Sequence, residues 1–151
     1  MLQDFLENET FVRLMSVHVH EVLEQLFSNA VHFSILTNVA EVSFEPPLPD
    51  EVTNHFKPIT MFVLAGYTFE SAQIDNDILQ FEAGFGRENV GSIVTLPLSA
   101  ILQIVVEETP IFINLSIPTR KNLRSIAKKG GVKKSMEALL SNPENESLLK
   151  K

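Results

Sequence analysis

Residues 77–86 read Asp-Ile-Leu-Gln-Phe-Glu-Ala-Gly-Phe-Gly, and this stretch decides how the rest of the chain is interpreted. From Leu79 to Phe85 every second side chain is apolar, which is typical of a strand with one buried face. The triplet Asp75-Asn76-Asp77 before it consists of residue types that favour tight turns. The segment therefore predicts a turn followed by a half-buried strand.

The residues after this strand predict a second turn, a second strand and a short helix. The turn spans Arg87 to Gly91 and the strand spans Ser92 to Leu96. Pro97 suits the first position of a helix, because its missing N–H would have no helical partner there. Four apolar residues follow at the spacing of one helical face, and they are Leu98, Ile101, Leu102 and Val105.

Further strands are predicted on both sides of this segment. Strand-like residues run from His32 to Phe44 and end at the prolines of Glu45–Pro49, which deny a ladder its backbone donors. The apolar run Ile59–Ala65 is typical of a buried strand, and Thr109–Ile117 alternates as a half-buried strand does. About five strands result, so we expect an α+β fold with a small, strongly bent antiparallel sheet.

One long helix is predicted near the N-terminus. Its apolar stripe runs from Phe11 to Ser28, and Thr10 is the expected N-cap. The stripe is broader than a surface helix needs. Either it covers the sheet of its own chain or it is shared with a second copy.

At these positions the chain resembles the SspB-like (stringent starvation protein B) adaptors, which deliver tagged polypeptides to the ClpXP protease. Those proteins have an Asn-Asp turn, a strand ending in Phe-x-Ala-x-Phe-Gly and a later Pro-Leu-x-Ala-x-Leu-x-Ile segment. The matching residues here are Asn76-Asp77, Phe81 to Gly86 and Pro97 to Ile104. Glu107-Glu108 also falls where the family has an acidic helix end. The resemblance extends more loosely over about two thirds of the chain.

The resemblance implies an Sm-like barrel with a groove for an extended degradation tag, an ssrA-like peptide. The groove residues carried over by position are Phe44, Leu48, Phe81, Ala83, Gly84, Phe85 and Gly86. In that alignment Phe44 and Leu48 form the wall opposite the strand. Read without the resemblance, Phe81 and Phe85 suit ordinary core positions equally well, and Gly84 suits a β-bulge.

The resemblance also implies a homodimer formed through the N-terminal helix. The interface residues would be Met15, Val19, Val22 and Leu26. It further implies docking on the ClpX ATPase through an apolar-basic C-terminal motif, whose counterparts here are Leu148, Leu149, Lys150 and Lys151.

The chain departs from the family pattern in its groove and in its tail. Gly84 stands where the family often has Arg, so we expect a different peptide to be recognised. The family's long acidic linker is replaced by a short linker that follows a basic segment.

Charge divides the chain into two parts. Residues 1–117 hold 16 Asp and Glu against three Lys and Arg, a net charge of −13, and residues 118–151 have a net charge of +6. We assign 1–117 to the peptide-binding domain and 118–151 to a basic helical segment and tail. An acidic body repels a phosphate backbone, so nucleic acid is expected to bind only through residues 119–134.

Composition restricts compartment and chemistry. The chain has no Cys, which excludes disulfides and thiolate metal sites and is consistent with a reducing cytosol. It shows neither a signal-type leader nor an apolar run of about eighteen residues, so we expect a cytoplasmic protein without a membrane span.

The residues do not predict an enzyme or a cofactor. His18 and His20 are two positions apart on the predicted helix, so they point to different sides and make a poor metal pair. Gly84-Phe85-Gly86 has neither the helix start nor the Lys of a phosphate-binding loop.

We therefore expect a non-enzymatic adaptor that binds a peptide tag and tethers it to ClpXP. The alternative is an Sm-like module that binds RNA or the ribosome through its basic C-terminal segment. A third interpretation is a dimeric assembly or chaperone-like protein that shares only the fold.

Overall fold

The computed structural model describes residues 1–118. A long helix packs on a core that two four-stranded antiparallel sheets share. The helices are α1 (Leu2–Leu6), α2 (Glu9–Ser28), α3 (Asp50–Thr53) and α4 (Gly66–Ser71). The strands are β1 (Phe33–Asn38), β2 (Ser43–Glu45), β3 (Ile59–Leu64), β4 (Gln73–Asp75), β5 (Ile78–Phe85), β6 (Val90–Pro97), β7 (Ile101–Val106) and β8 (Thr109–Ile113).

The first sheet has the strand order β3-β1-β7-β8 and the second has the order β2-β6-β5-β4. The predicted strand His32–Phe44 is in fact two strands, because a 3-10 turn at Val39–Glu41 carries the chain from one sheet to the other. The α+β class and the N-terminal helix are confirmed. The described strands form two open sheets and not a closed barrel.

Helix α2 begins earlier than predicted. The Asn8 side chain accepts hydrogen bonds from the backbone N–H groups of Thr10 at 2.9 Å and Phe11 at 3.2 Å. Asn8 is therefore the N-cap, and the assignment of Thr10 was wrong. The cap moved because the Asn8 carboxamide satisfies two of the orphan donors of the first turn.

The helix predicted from Pro97 is wrong. A 3-10 turn at Leu98–Ala100 leads directly into β7, which pairs with β1 on one side and β8 on the other. Leu98 and Ile101 are fully buried. The spacing of the apolar residues suited a helix, but the β-branched residues of β7 complete the first sheet, and this pairing overrides the local pattern.

Two more predictions on the first sheet need correction. Strand β3 lies at a sheet edge, and Ile59, Met61 and Val63 are more than half exposed, so it is not buried on both faces. Glu107 and Glu108 do not end a helix. With φ values of 49° and 70° they form the two-residue turn between β7 and β8.

The predicted turn at Asp75–Asp77 is confirmed. Asn76 and Asp77 have φ values of 48° and 66° and connect β4 to β5. Asn and Asp tolerate this left-handed conformation better than most residues do. The hairpin places β5 beside β6, where the candidate site lies.

Among the helices within residues 1–118, none has the length and apolar content that crossing a bilayer requires.

Candidate functional site

A cleft of about 560 Å³ lies over the second sheet where β5 and β6 run side by side. We call it the glycine cleft, because Gly84 of β5 and Gly91 of β6 are directly opposite each other there. Its lining residues are Glu45, Pro46, Tyr67, Thr68, Glu82, Ala83, Gly84, Asn89, Gly91, Ser92 and Ile93. The structure thus brings Ala83 and Gly84, two of the residues predicted to bind peptide, into one concave surface.

The two glycines leave different amounts of free space. A Cβ added at Gly91 would meet no atom within 4 Å, whereas a Cβ at Gly84 would lie 1.8 Å from Oδ1 of Asn89. The Asn89 carboxamide therefore occupies the space that a side chain at position 84 would take. Asn89 has φ 52° in the turn between β5 and β6, which orients its side chain back over the strand.

Gly84 is not a β-bulge. The register of β5 against β6 is continuous from Ile78↔Pro97 to Phe85↔Val90, and Gly84 pairs with Gly91 within it. A bulge would shift that register by one residue.

One edge of β5 is free of strand pairing beside the cleft. Strand β4 pairs with β5 only as far as Gln80. The next backbone N–H on that edge of β5 belongs to Glu82, and it donates to Oγ of Ser71 at 2.9 Å. Because backbone groups alternate sides along a strand, Gly84 directs its N–H and C=O to the same edge, beyond the end of β4.

Tyr67 and Glu82 form one wall of the cleft. The Tyr67 hydroxyl, on the exposed side of α4, donates a hydrogen bond to the Glu82 carboxylate. This hydrogen bond raises the pKa of Tyr67 above its usual value, and the charges of Glu82 and Glu70 add to the effect. The wall therefore combines a neutral phenol with the carboxylate to which it donates.

The opposite wall comes from β2 and the proline that follows it. Glu45 pairs with Ile93, and Ile93 pairs on its other side with Glu82. The Ser92 hydroxyl donates to the Pro46 carbonyl oxygen at 2.9 Å and so ties the end of β2 to β6. Glu45 and Glu82 thus project from the same face of the sheet, on strands that flank β6.

The predicted wall of Phe44 and Leu48 does not face the β5 strand across an open groove. The rings of Phe44 and Phe85 are in edge-to-face contact with centroids 5.6 Å apart, and Leu48 is buried. Phe81 is also buried, with its ring 5.9 Å from that of Phe62. Phe81 is thus a core residue, and Phe44 and Phe85 fill the space between them with their own rings.

Gly86 and Phe85 line a second, separate cleft of about 520 Å³. Gly86 has φ 75°, and a Cβ there would lie 3.1 Å from Cγ2 of Val52 in α3. Gly86 therefore allows the turn after β5 to pack closely against α3. It shapes this second cleft and not the glycine cleft.

The helix stripe predicted to form a dimer faces the core of its own chain. Val19 and Leu26 are buried among residues of the two sheets, and Met15 and Val22 are partly buried. The buried pair has almost no surface left to offer a second copy, so Val19 and Leu26 are core residues of their own chain.

The histidine pair behaves as surface residues. His20 Nε2 lies 2.8 Å from the Glu24 carboxylate, and His18 Nδ1 lies 3.9 Å from that of Glu21. Within residues 1–118 no three potential ligands are grouped as a metal ion would require.

Several predictions lie outside the described residues. These are the docking residues Leu148, Leu149, Lys150 and Lys151, and the basic segment 119–134.

Three residues of the glycine cleft were missed at the level of sequence. Tyr67 lay outside the predicted strands and helices, Glu45 in the proline-rich break and Asn89 in the predicted turn Arg87 to Gly91. Tyr67 is the single tyrosine of the chain, but composition alone does not place it beside Glu82. Only the pairing of the strands brings the three together.

Comparison with known proteins gives no matching family model and no matching curated protein.

Proposed function

We propose that this protein is a non-enzymatic cytoplasmic adaptor that binds an extended, ssrA-like peptide tag in the glycine cleft and delivers the tagged protein to ClpXP. One observation carries the peptide-binding half: a concave surface floored by paired glycines lies beside a strand edge that β4 leaves uncovered. The delivery half rests on the SspB-like resemblance around Phe81–Gly86 and Pro97–Ile104.

Strand addition is the recognition mode that this geometry favours. An extended peptide at the free edge of β5 would exchange main-chain hydrogen bonds with Gly84, while its alternate side chains enter the cleft. Glycines at 84 and 91 let a second backbone approach closely, since neither carries a side chain. The Asn89 carboxamide lies over Gly84 and would have to rotate away, which is a small change for the end of an exposed side chain.

The first test fills the cleft without straining the backbone. Gly91→Leu adds a side chain where a Cβ meets no atom within 4 Å, so the fold should be retained while the cleft is blocked. We expect peptide affinity, measured by fluorescence anisotropy, to fall at least about tenfold, which corresponds to about 1.4 kcal/mol. Gln73→Leu is the matched control, because it adds the same side chain at an exposed position of the same sheet outside the cleft.

Equal peptide affinity in wild type and a folded Gly91→Leu variant would place the binding surface elsewhere. Delivery is tested separately by deleting residues 147–151. This truncation should leave peptide affinity unchanged and abolish accelerated degradation by ClpXP, since capture and tethering would then reside on different segments.

A further inference from the structure

The charges around the glycine cleft indicate which peptides it selects, an inference that rests on the proposed function. Among its described lining residues only Glu45 and Glu82 are charged, and both are exposed. They are the two register partners of Ile93, one on each side. Adjacent strands are about 4.8 Å apart, so the two backbones are separated by roughly 10 Å across β6.

Neither carboxylate is neutralised by a cation within residues 1–118. The salt bridges there involve other acids, and the Arg13 guanidinium is taken by Glu9 at 3.2 Å. Arg87 lines the second cleft instead. Glu82 receives its described side-chain hydrogen bond from the Tyr67 hydroxyl, a neutral donor that leaves the negative charge in place.

The neighbouring charges make the cleft more negative still. Glu70 acts on Tyr67 in the same direction as Glu82 does, since both charges disfavour the phenolate. A third carboxylate thus contributes to the potential near this wall. An acidic peptide side chain would meet repulsion here, and a basic one would meet attraction from two sides.

We infer that the peptide bound in the glycine cleft carries a Lys or Arg side chain, and that this side chain lies between Glu45 and Glu82. Ile93 projects from the same face between the two carboxylates, so the apolar stem of a Lys or Arg would lie on Ile93 while its charged end reaches the level of Glu45 and Glu82. The adjoining floor is open at Gly91, and it opens at Gly84 once the Asn89 carboxamide rotates away, so the peptide backbone can lie low enough for that side chain to stand between the carboxylates. Glu45 and Glu82 are therefore specificity-determining residues, whereas the strand edge supplies sequence-independent affinity.

The test separates specificity from binding. Short fluorescein-labelled Ala- and Asn-rich peptides, in which Lys, Gln or Glu is moved through every position, are titrated against wild type and the Glu45→Gln, Glu82→Gln and double variants. For wild type we expect a position at which Lys binds about tenfold better than Gln, and Gln better than Glu. The preference should shrink in each single variant and vanish in the double variant, which should bind the Lys and Gln peptides equally.

Two controls exclude a general effect of the acidic body. Glu88→Gln removes one negative charge at the second cleft and should leave the preference for Lys intact. High salt should weaken the preference in wild type and have no effect on it in the double variant.

A preference for Lys that survives in the double variant would overturn the inference, because the charge of the whole body would then explain it. Equal binding of the Lys and Gln peptides by wild type at every position would overturn the inference and leave the proposed function standing. Failure of every peptide to bind would overturn both.

Discussion

The burial of two hydroxyl groups allows a quantitative prediction about the free energy of unfolding. Oγ of Ser16, on the core face of α2, and Oγ of Ser99, in the 3-10 turn after β6, have no hydrogen-bond partner among the described residues. Both residues are about 4% exposed. A buried polar group without a partner costs about 1–3 kcal/mol, so removing the hydroxyl should stabilise the fold.

For Ser16→Ala the opposing effects can be weighed. Loss of the unpaired hydroxyl contributes about 1–3 kcal/mol in favour of the variant, and the higher helix propensity of Ala adds up to about 0.5 kcal/mol. The small void left by the oxygen opposes this by about 1 kcal/mol. We expect a net increase of about 1 kcal/mol in the free energy of unfolding, or roughly 3 °C in Tm for a domain of this size.

The measurement is urea unfolding followed by circular dichroism, with thermal melts beside it. An increase in the midpoint at constant m would show that the native state changed and not the denatured ensemble. Ser28→Ala is the control, because Ser28 ends the same helix and is exposed, so its hydroxyl is solvated in both states. A Ser16→Ala variant less stable than wild type by 1 kcal/mol or more would refute the reasoning, since the hydroxyl would then have a stabilising partner.

Two further predictions concern α2 and the partly buried carboxyl group of Glu41. Val19→Asp places a charge at a fully buried position and should unfold the protein, whereas Val17→Asp, at a position 44% exposed, should leave it folded. A folded Val19→Asp protein would contradict the burial argument. Light scattering of wild type and of the folded Val17→Asp variant then tests for a homodimer formed through the exposed side of α2. Burial raises the pKa of Glu41 above its ordinary value of 4.5, so its protonated form is favoured in the folded state. The stability that Glu41 contributes is fully present below the pKa that it has in the unfolded chain, and it is lost as the pH rises through the higher pKa that it has in the folded protein. Glu41→Gln should therefore raise Tm at pH 7 and lose that advantage near pH 4, and an equal effect at both pH values would count against burial as the cause.

The sequence predicted some residues of the glycine cleft and not others. Ala83 and Gly84 were placed in it because the alternating pattern and the Phe-x-Ala-x-Phe-Gly resemblance both act over a few neighbouring residues. Glu45 and Tyr67 were not, because each reaches the cleft through strand pairing and packing with residues far away in the chain. Charge counts showed an acidic body, but they did not show which two carboxylates face each other across β6.

The local features of the fold follow from the sequence by itself. The Asn76-Asp77 turn, the alternation from Leu79 to Phe85 and the stripe of α2 each depend on sterics and periodicity within one segment, which neighbouring residues determine. Only the tertiary structure decided that Ile101–Val106 is a strand and that β3 leaves one face exposed. Apolar and β-branched residues suit a helix or a strand, buried or at an edge, and the outcome depends on which partners are available for pairing. For Ile101–Val106 those partners are β8, which follows it directly, and β1, which lies far earlier in the chain.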